Sequence, residues 1–344
     1  MIGAFVFAAT LSLTQQTQET PEPGQMPEGP VLSAPDRTAP DESGELRDTA
    51  STYAAYHSQV NAAGQRELLS GEDLDTTMDT LAAYYSGDRL VDAQIAYTAL
   101  VAAQNPQFID EVRAVADYYG TDVAARALME DPLYVTGFMG ADLAADSVNT
   151  TVGEDVARIN DVGMRYRQAA YNLQTEAWAQ RRARDRQDRL AAIESASSRL
   201  ATDFSLSGAG PGPATLPDTQ APTARRMGSA SSLFGDDVAT DTTGPITLSA
   251  LEVTVGERQL EPDERRVGQI LVVAALQAIE GGDLTYMDQL LSNPAVERCI
   301  QWAKLNLQQC VAAGHFKYED AFCIAEHALD EVADCLTTAR IVPN

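Results

Sequence analysis

The sequence is poor in lysine and contains no long apolar run. Lys304 and Lys317 are its only lysines, and 24 basic residues face 50 acidic ones, for a formal net charge of −26. Such a chain repels a polyanion, which excludes nucleic acid as a partner. No run of about 18 apolar residues occurs, which excludes a membrane-spanning helix in the mature chain.

Short catalytic motifs are also missing. The chain has no nucleophile elbow, phosphate loop, dinucleotide fingerprint, HExxH or CxxC. His57, the only histidine before residue 315, has no evident partner in the sequence. We therefore expect a non-catalytic protein without a cofactor, an adaptor or scaffold for protein partners in the cell envelope. Two alternatives stay open: an envelope hydrolase acting on polysaccharide or peptidoglycan, and a C-terminal metal-binding module.

Cysteine is absent from the first 298 residues, and four cysteines fall in the last 46. Their even number and close clustering predict two disulfides, which form in an oxidising compartment. Residues 1–14 are apolar and resemble the h-region of a secretory signal, although no Lys or Arg precedes Arg37. Together these features predict export to the periplasm or the medium.

Helical geometry predicts which cysteines pair. Cys299 and Cys310 are 11 residues apart, so they lie on one helical face about 16 Å apart. Cys323 and Cys335 follow on the return helix of a hairpin, which matches Cys310 with Cys323 and Cys299 with Cys335. Twelve α-helical residues turn about 1200°, which leaves Cys335 about 120° off the face of Cys323. The outer bond therefore requires a bent or frayed helix end.

The same region offers a metal site as an alternative. Cys310, His315, Cys323 and His327 form a Cys2His2 set of the kind that binds zinc or copper. His327 also precedes Glu331 by four residues, the spacing of an ion pair on a solvated helix face. We prefer the disulfides and expect no metal.

Composition divides the chain into five parts and predicts an all-α fold. The first part is the signal-like segment at 1–14. An acidic tail at 15–50, rich in Gln, Glu, Pro and Thr, is expected to be disordered. A helical bundle follows at 51–204, with a solenoid-like arrangement as an alternative. A Gly/Pro/Ser/Thr-rich linker at 205–245 then leads to a C-terminal helical domain at 246–340, which the disulfides staple. Residues 245–255 are the only strand candidate.

Capping residues mark several helix ends. Asn105, followed by Pro106, predicts a helix start, and Gly120 precedes another. Pro132 predicts a helix end. Thr151 and Glu154 fit a capping box, which predicts a long helix from Thr151 onwards.

That long helix carries a seam, a row of small and apolar residues stepping by three and four. Such a coiled-coil-like row predicts close packing against a neighbouring helix, within the bundle or, as an alternative, in a homo-oligomer. The seam includes Gly163, Tyr166, Ala170, Leu173 and Ala177.

A basic patch follows the seam, made of Arg181, Arg182, Arg184, Arg186 and Arg189. Because aspartates are interleaved with these arginines, we interpret the patch as the solvated end of the long helix, where the two residue types form ion pairs. An anionic partner is the alternative.

Paired tyrosines recur 34 residues apart, at Tyr84–Tyr85 and Tyr118–Tyr119. This spacing equals the tetratricopeptide period, and residues 81–106 are similar in outline to one such repeat. We prefer the simpler interpretation of two helix ends with similar Tyr-Tyr-Gly chemistry.

Overall fold

The computed structural model describes residues 42–86, 89–183, 186–199, 206, 227–234, 262–279 and 284–337. Helices dominate these ranges, where the one pairing of extended segments is an isolated bridge between Arg182 and Phe316. The predicted all-α fold is confirmed. The signal-like residues 1–14 and the strand candidate at 245–255 lie outside the described residues.

The helices fall into two groups along the chain. The first group is α1 (Glu42–Gln65), α2 (Gly71–Ala82), α3 (Arg89–Ala102), α4 (Pro106–Tyr119), α5 (Thr121–Glu130), α6 (Ala141–Asn172) and α7 (Arg186–Ser197), with short 3-10 turns at Tyr134–Gly137, Leu173–Thr175 and Ser231–Leu233. The second group is α8 (Pro262–Ala278), α9 (Leu284–Leu291), α10 (Pro294–Ala313), and a continuous helix made of α11 (Glu319–Cys323), a π-helical segment (Ile324–Asp330) and α12 (Glu331–Thr337). None of the helices in the described ranges combines the length and apolarity needed to cross a membrane.

The central element is α3. From Leu90 to Ala102 every residue is buried except Asp92, which is half-buried. A helix that is buried all round lies in the core, and α3 packs against α1, α6, α8 and α9. The apolar core runs continuously from α1 to α12 and so includes residues of both helical regions predicted from composition.

α1 begins inside the segment that composition assigns to the acidic tail. Residues 42–50 are helical, and Leu46 and Ala50 are buried in the core. The apolar spacing of Leu46, Ala50 and Tyr53 continues the buried face of α1, which explains why this part is ordered.

The start predicted for the long helix is wrong. α6 begins at Ala141, directly after Gly140, whose φ of +80° suits a glycine. Thr151 lies in mid-helix and is buried, so it forms no capping box. The helix also ends at Asn172, and Ala177 lies beyond it, exposed.

The other seam residues face the chain's own core. Tyr166, Ala170 and Leu173 are buried in it, and Gly163 lies against the carboxylate of Asp330 in the π-helical segment. This face of α6 is therefore filled by intramolecular packing.

The other predicted helix ends are confirmed. The Asn105 side chain accepts a hydrogen bond from the Phe108 backbone N–H at 3.1 Å, and Pro106 opens α4. α5 starts directly after Gly120 and ends before Pro132.

The two tyrosine pairs occupy different environments. Tyr84 and Tyr85 are buried, at 2% and 0% exposure, whereas Tyr118 and Tyr119 are 80% and 58% exposed. The pairs are therefore not equivalent positions of a repeat.

Candidate functional site: a groove that holds residues 227–234

Two disulfides clamp the C-terminal hairpin, and both predicted pairings are confirmed. Cys310 bonds to Cys323 and Cys299 bonds to Cys335, with Cα–Cα distances of 5.7 and 5.6 Å. The helix is not frayed at Cys335, because α12 continues to Thr337. Instead, a π-helical segment lies between Cys323 and Cys335.

The bond between Cys310 and Cys323 takes up both sulfur atoms of the alternative metal set. His315 is exposed in the turn, and His327 Nδ1 lies 2.9 Å from Glu331 Oε1, as expected for an i,i+4 pair. The described ranges hold no group of three or more His, Cys, Asp or Glu side chains arranged to bind a metal ion.

The basic patch does not end the long helix, because α6 stops earlier. Arg181 and Arg182 are exposed and pair through their backbone with the hairpin turn, and Arg186 Nε donates to the Ala312 carbonyl at 3.0 Å. Arg189 is not solvated as predicted: it is 5% exposed and forms an ion pair with the fully buried Asp320. Arg189 Nη1 also donates to the Gly314 carbonyl at 3.4 Å, so the hairpin turn and α11 surround its guanidinium. Arg184 lies outside the described residues.

The most informative site is a groove between α1, α3 and α6. It holds Met227–Phe234, which we call the strap and which lies within the predicted linker. Ser229 and Ala230 are 2% and 0% exposed, so the middle of the strap belongs to the core.

The first end of the strap is held by α3 and the residues just after it. Gln104 Oε1 accepts a hydrogen bond from the Met227 N–H at 2.6 Å, and its Nε2 donates to the Met227 carbonyl at 3.3 Å. The Tyr97 hydroxyl donates to the Gly228 carbonyl at 3.0 Å. One amide side chain thus satisfies both backbone groups of one residue, as a β-strand neighbour would.

Asp155 of α6 clasps the middle of the strap. This carboxylate has no solvent exposure, and it accepts the backbone N–H groups of Ala230 at 3.1 Å and Ser231 at 2.7 Å. These N–H groups begin the 3-10 turn Ser231–Leu233, so Asp155 acts as a cap supplied by another helix. Hydrogen bonds of this kind offset the penalty for burying the charge.

The last end of the strap is held by α1. Asn61 Nδ2 donates to the Phe234 carbonyl at 2.8 Å. Arg158 Nη2 in turn donates to Asn61 Oδ1 at 3.0 Å and orients the amide. The groove therefore contacts the strap through backbone atoms at both ends and in the middle.

His57 lies next to the Asp155 carboxylate. Its ring packs against Tyr53 and Tyr56, with centroids 4.6 and 5.3 Å away, and His57 Nε2 is 4.0 Å from Asp155 Oδ2. Burial lowers the pKa of His57, and the nearby Asp155 carboxylate partly opposes this shift. Neither ring nitrogen has a hydrogen-bond partner in the described part of the chain. The imidazole is therefore favoured in its neutral form.

A second buried polar cluster joins the C-terminal helix to α3. Gln94 Nε2 and Arg266 Nη1 both donate to the Leu336 carbonyl at 3.2 Å, and Arg266 Nη2 also donates to Gln94 Oε1. The carbonyl belongs to the last turn of α12, where helix carbonyls lack helical partners. Both donors are buried, so this cluster docks the hairpin on the bundle.

Sequence reasoning missed the strap because its composition is that of a linker. The signal that could have found it is apolar: Met227 and the Leu233-Phe234 pair flank a run of small residues inside a polar stretch. None of the contacting side chains stands in a recognisable motif.

Comparison of the chain with protein-family models, with curated proteins and with solved structures found no match.

Proposed function

We propose that this chain is an exported, non-catalytic interaction protein that works in the cell envelope or the medium. It serves as an adaptor or scaffold, and the groove between α1, α3 and α6 is its recognition site.

The disulfides support the proposed location outside the cytosol. All four cysteines pair, and such bonds persist in oxidising compartments and are rare in the cytosol. Each bond contributes on the order of 2–4 kcal/mol in the chain-entropy estimate.

The contact of Asp155 with the strap is the observation that supports the groove as a recognition site. A buried carboxylate that binds two successive backbone N–H groups recognises a polypeptide main chain. Gln104 and Asn61 add backbone contacts on either side. Binding a segment of polypeptide is the basic operation of an interaction protein.

Site-specific photo-cross-linking tests the proposal. A photoreactive residue is placed at Tyr118, Tyr171 or Trp302, whose side chains are 80%, 64% and 62% exposed. Irradiation of the native envelope and medium fractions is expected to yield a discrete heavier adduct from at least one position. The matched control is the same variant after reduction and alkylation, which no longer has a clamped hairpin. Absence of a discrete adduct from all three positions, in protein whose mass shows two disulfides, would reject the proposal.

A further inference from the structure

We infer that the groove binds a short segment of a partner polypeptide, which takes the conformation of the strap, and that the strap is an occupant supplied by the chain itself. This inference rests on the proposed function and names the chemistry of the partner. The strap is then an autoinhibitory contact, which a partner segment must displace.

The contacts explain why the groove can accept a second segment. Gln104, Tyr97, Asp155 and Asn61 all bind backbone N–H or carbonyl groups of the strap. Because backbone groups are common to nearly all residues, such contacts tolerate many sequences, as in strand addition to a sheet. Specificity must come from the few side-chain positions that are enclosed.

Burial and charge define the partner. The position of Ala230 is fully enclosed, so it accepts only a small residue, and Met227, 7% exposed, marks an apolar position three residues earlier. Proline is excluded at the positions of Ala230 and Ser231 because both donate their N–H to Asp155. An acidic residue there is excluded by the buried carboxylate. The partner segment is therefore apolar at its start, rich in Ala, Ser or Gly in its middle, and free of acidic residues at the two positions that bind Asp155.

Covalent attachment favours the chain's own segment. The strap and the groove belong to one chain, and a segment that binds within its own chain competes at an effective concentration on the order of millimolar. A free peptide must compete against this concentration. Loosening the strap should therefore expose the binding site.

The test uses a fluorescent synthetic peptide with the sequence of residues 227–234 and measures its anisotropy with the full, oxidised chain. The variant Ala230→Asp places a charge beside Asp155 in the strap and leaves every groove residue unchanged. The matched control is Ser232→Asp, which adds the same charge at a half-buried position. We expect Ala230→Asp to bind the peptide at least about tenfold more tightly than the wild type or the control.

Adding Asp155→Ala to the Ala230→Asp variant should abolish peptide binding, because the carboxylate that accepts the two backbone N–H groups is then missing. Equal affinities for wild type and Ala230→Asp, with unchanged circular dichroism, would overturn the inference. Since Ala230→Asp could unfold the chain, amide hydrogen exchange of the wild type gives an independent answer. The amides of Ala230 and Ser231 should exchange at least about tenfold faster than the buried amides of α6.

Exchange of these two amides only through global unfolding would mean that the strap is a permanent part of the core, and the inference would fail. A photo-cross-linked partner together with such a result would leave the exported interaction protein standing and reject the groove as its recognition site.

Discussion

Cys323 and Cys335 both bond to cysteines of α10, although twelve residues of regular α-helix would point them about 120° apart. The seven residues Ile324–Asp330 between them are π-helical. A π-helix has about 4.4 residues per turn, so each residue turns about 18° less than in an α-helix. Over seven residues the deficit is about 126°, which brings Cys335 back to the face of Cys323.

This relationship predicts the effect of changing the helix length. Deleting His327 shortens the cysteine spacing to eleven residues, the same as between Cys299 and Cys310, so a regular α-helix can satisfy both bonds. We expect the deletion variant to keep both disulfides, measured as an intact mass about 4 Da below that of the reduced chain. An alanine inserted after His327 adds about 100° of rotation and should cost the outer bond.

An alanine inserted after Thr337, beyond both cysteines, is the matched control and should leave two disulfides. If the deletion variant carried two alkylatable thiols instead, the rotational explanation of the π-helical segment would be wrong.

Gly163 and Gly153 of α6 should respond to alanine in opposite directions. A methyl group at Gly163 would overlap the carboxylate of Asp330, which is held by Arg167, so Gly163→Ala should destabilise the fold by about 1–3 kcal/mol. A methyl group at Gly153 meets nothing within 4 Å, so Gly153→Ala should stabilise by about 0.5–1 kcal/mol through helix propensity. Urea denaturation measures both free energies of unfolding. Equal effects at the two sites would contradict the close approach at Gly163.

Removing one partner of the ion pair between Arg189 and Asp320 should destabilise the fold more than removing both partners. Asp320→Leu leaves a buried guanidinium without its carboxylate and should destabilise by about 3–5 kcal/mol. Arg189→Met combined with Asp320→Leu removes both charges and should cost clearly less, because Lys317, the second cation on Asp320, keeps Asp75 as a partner. The control Arg182→Met changes an exposed arginine, with an expected effect within about 0.5 kcal/mol. Additive losses in the double variant, seen in urea titrations, would refute this account.

His57 should make the fold sensitive to mild acid. Its pKa is lowered in the folded state, so below the unfolded value of about 6.5 the unfolded chain binds a proton that the folded chain does not. Stability therefore falls as the pH decreases through this window, by at most about 1.4 kcal/mol per pH unit, and levels off below the folded pKa. The groups facing the ring are Asp155 and the phenols of Tyr53 and Tyr56, whose pKa values burial raises, so the phenols stay neutral.

The measurement is the free energy of unfolding in urea between about pH 7.5 and 5.5. His57→Phe should lack the part of the slope that the wild type owes to this residue, whereas His315→Phe, in the exposed turn, should keep it. Parallel pH profiles for all three proteins would show that His57 does not titrate differently on folding.

Much of the local structure could be predicted. Asn105 with Pro106, and Gly120 before Thr121, act through backbone hydrogen bonds and φ preferences within a few residues, so their sequence signals sufficed. Thr151 misled because a threonine followed three residues later by a glutamate also fits a helix interior. What decides that case is that α6 already begins at Ala141, so that Thr151 lies buried in its interior.

The candidate site could not be predicted, since its parts come from distant places. Asp155 is one of 50 acidic residues, and only folding brings it into contact with Ala230, which lies 75 residues further along the chain. Arg189 looked like its solvated neighbours because its burial depends on the hairpin turn and α11, which supply Gly314 and Asp320.

By itself, the sequence determined the helical class, the helix ends at Asn105, Gly120 and Pro132, and the pairing of the four cysteines, because each follows from local capping residues or from spacing along a helix. Only the tertiary structure decided that Ile324–Asp330 would unwind into a π-helix and that Met227–Phe234 would enter a groove. Both outcomes depend on groups that meet across the core, where the gain from burial and hydrogen bonding outweighs local preference.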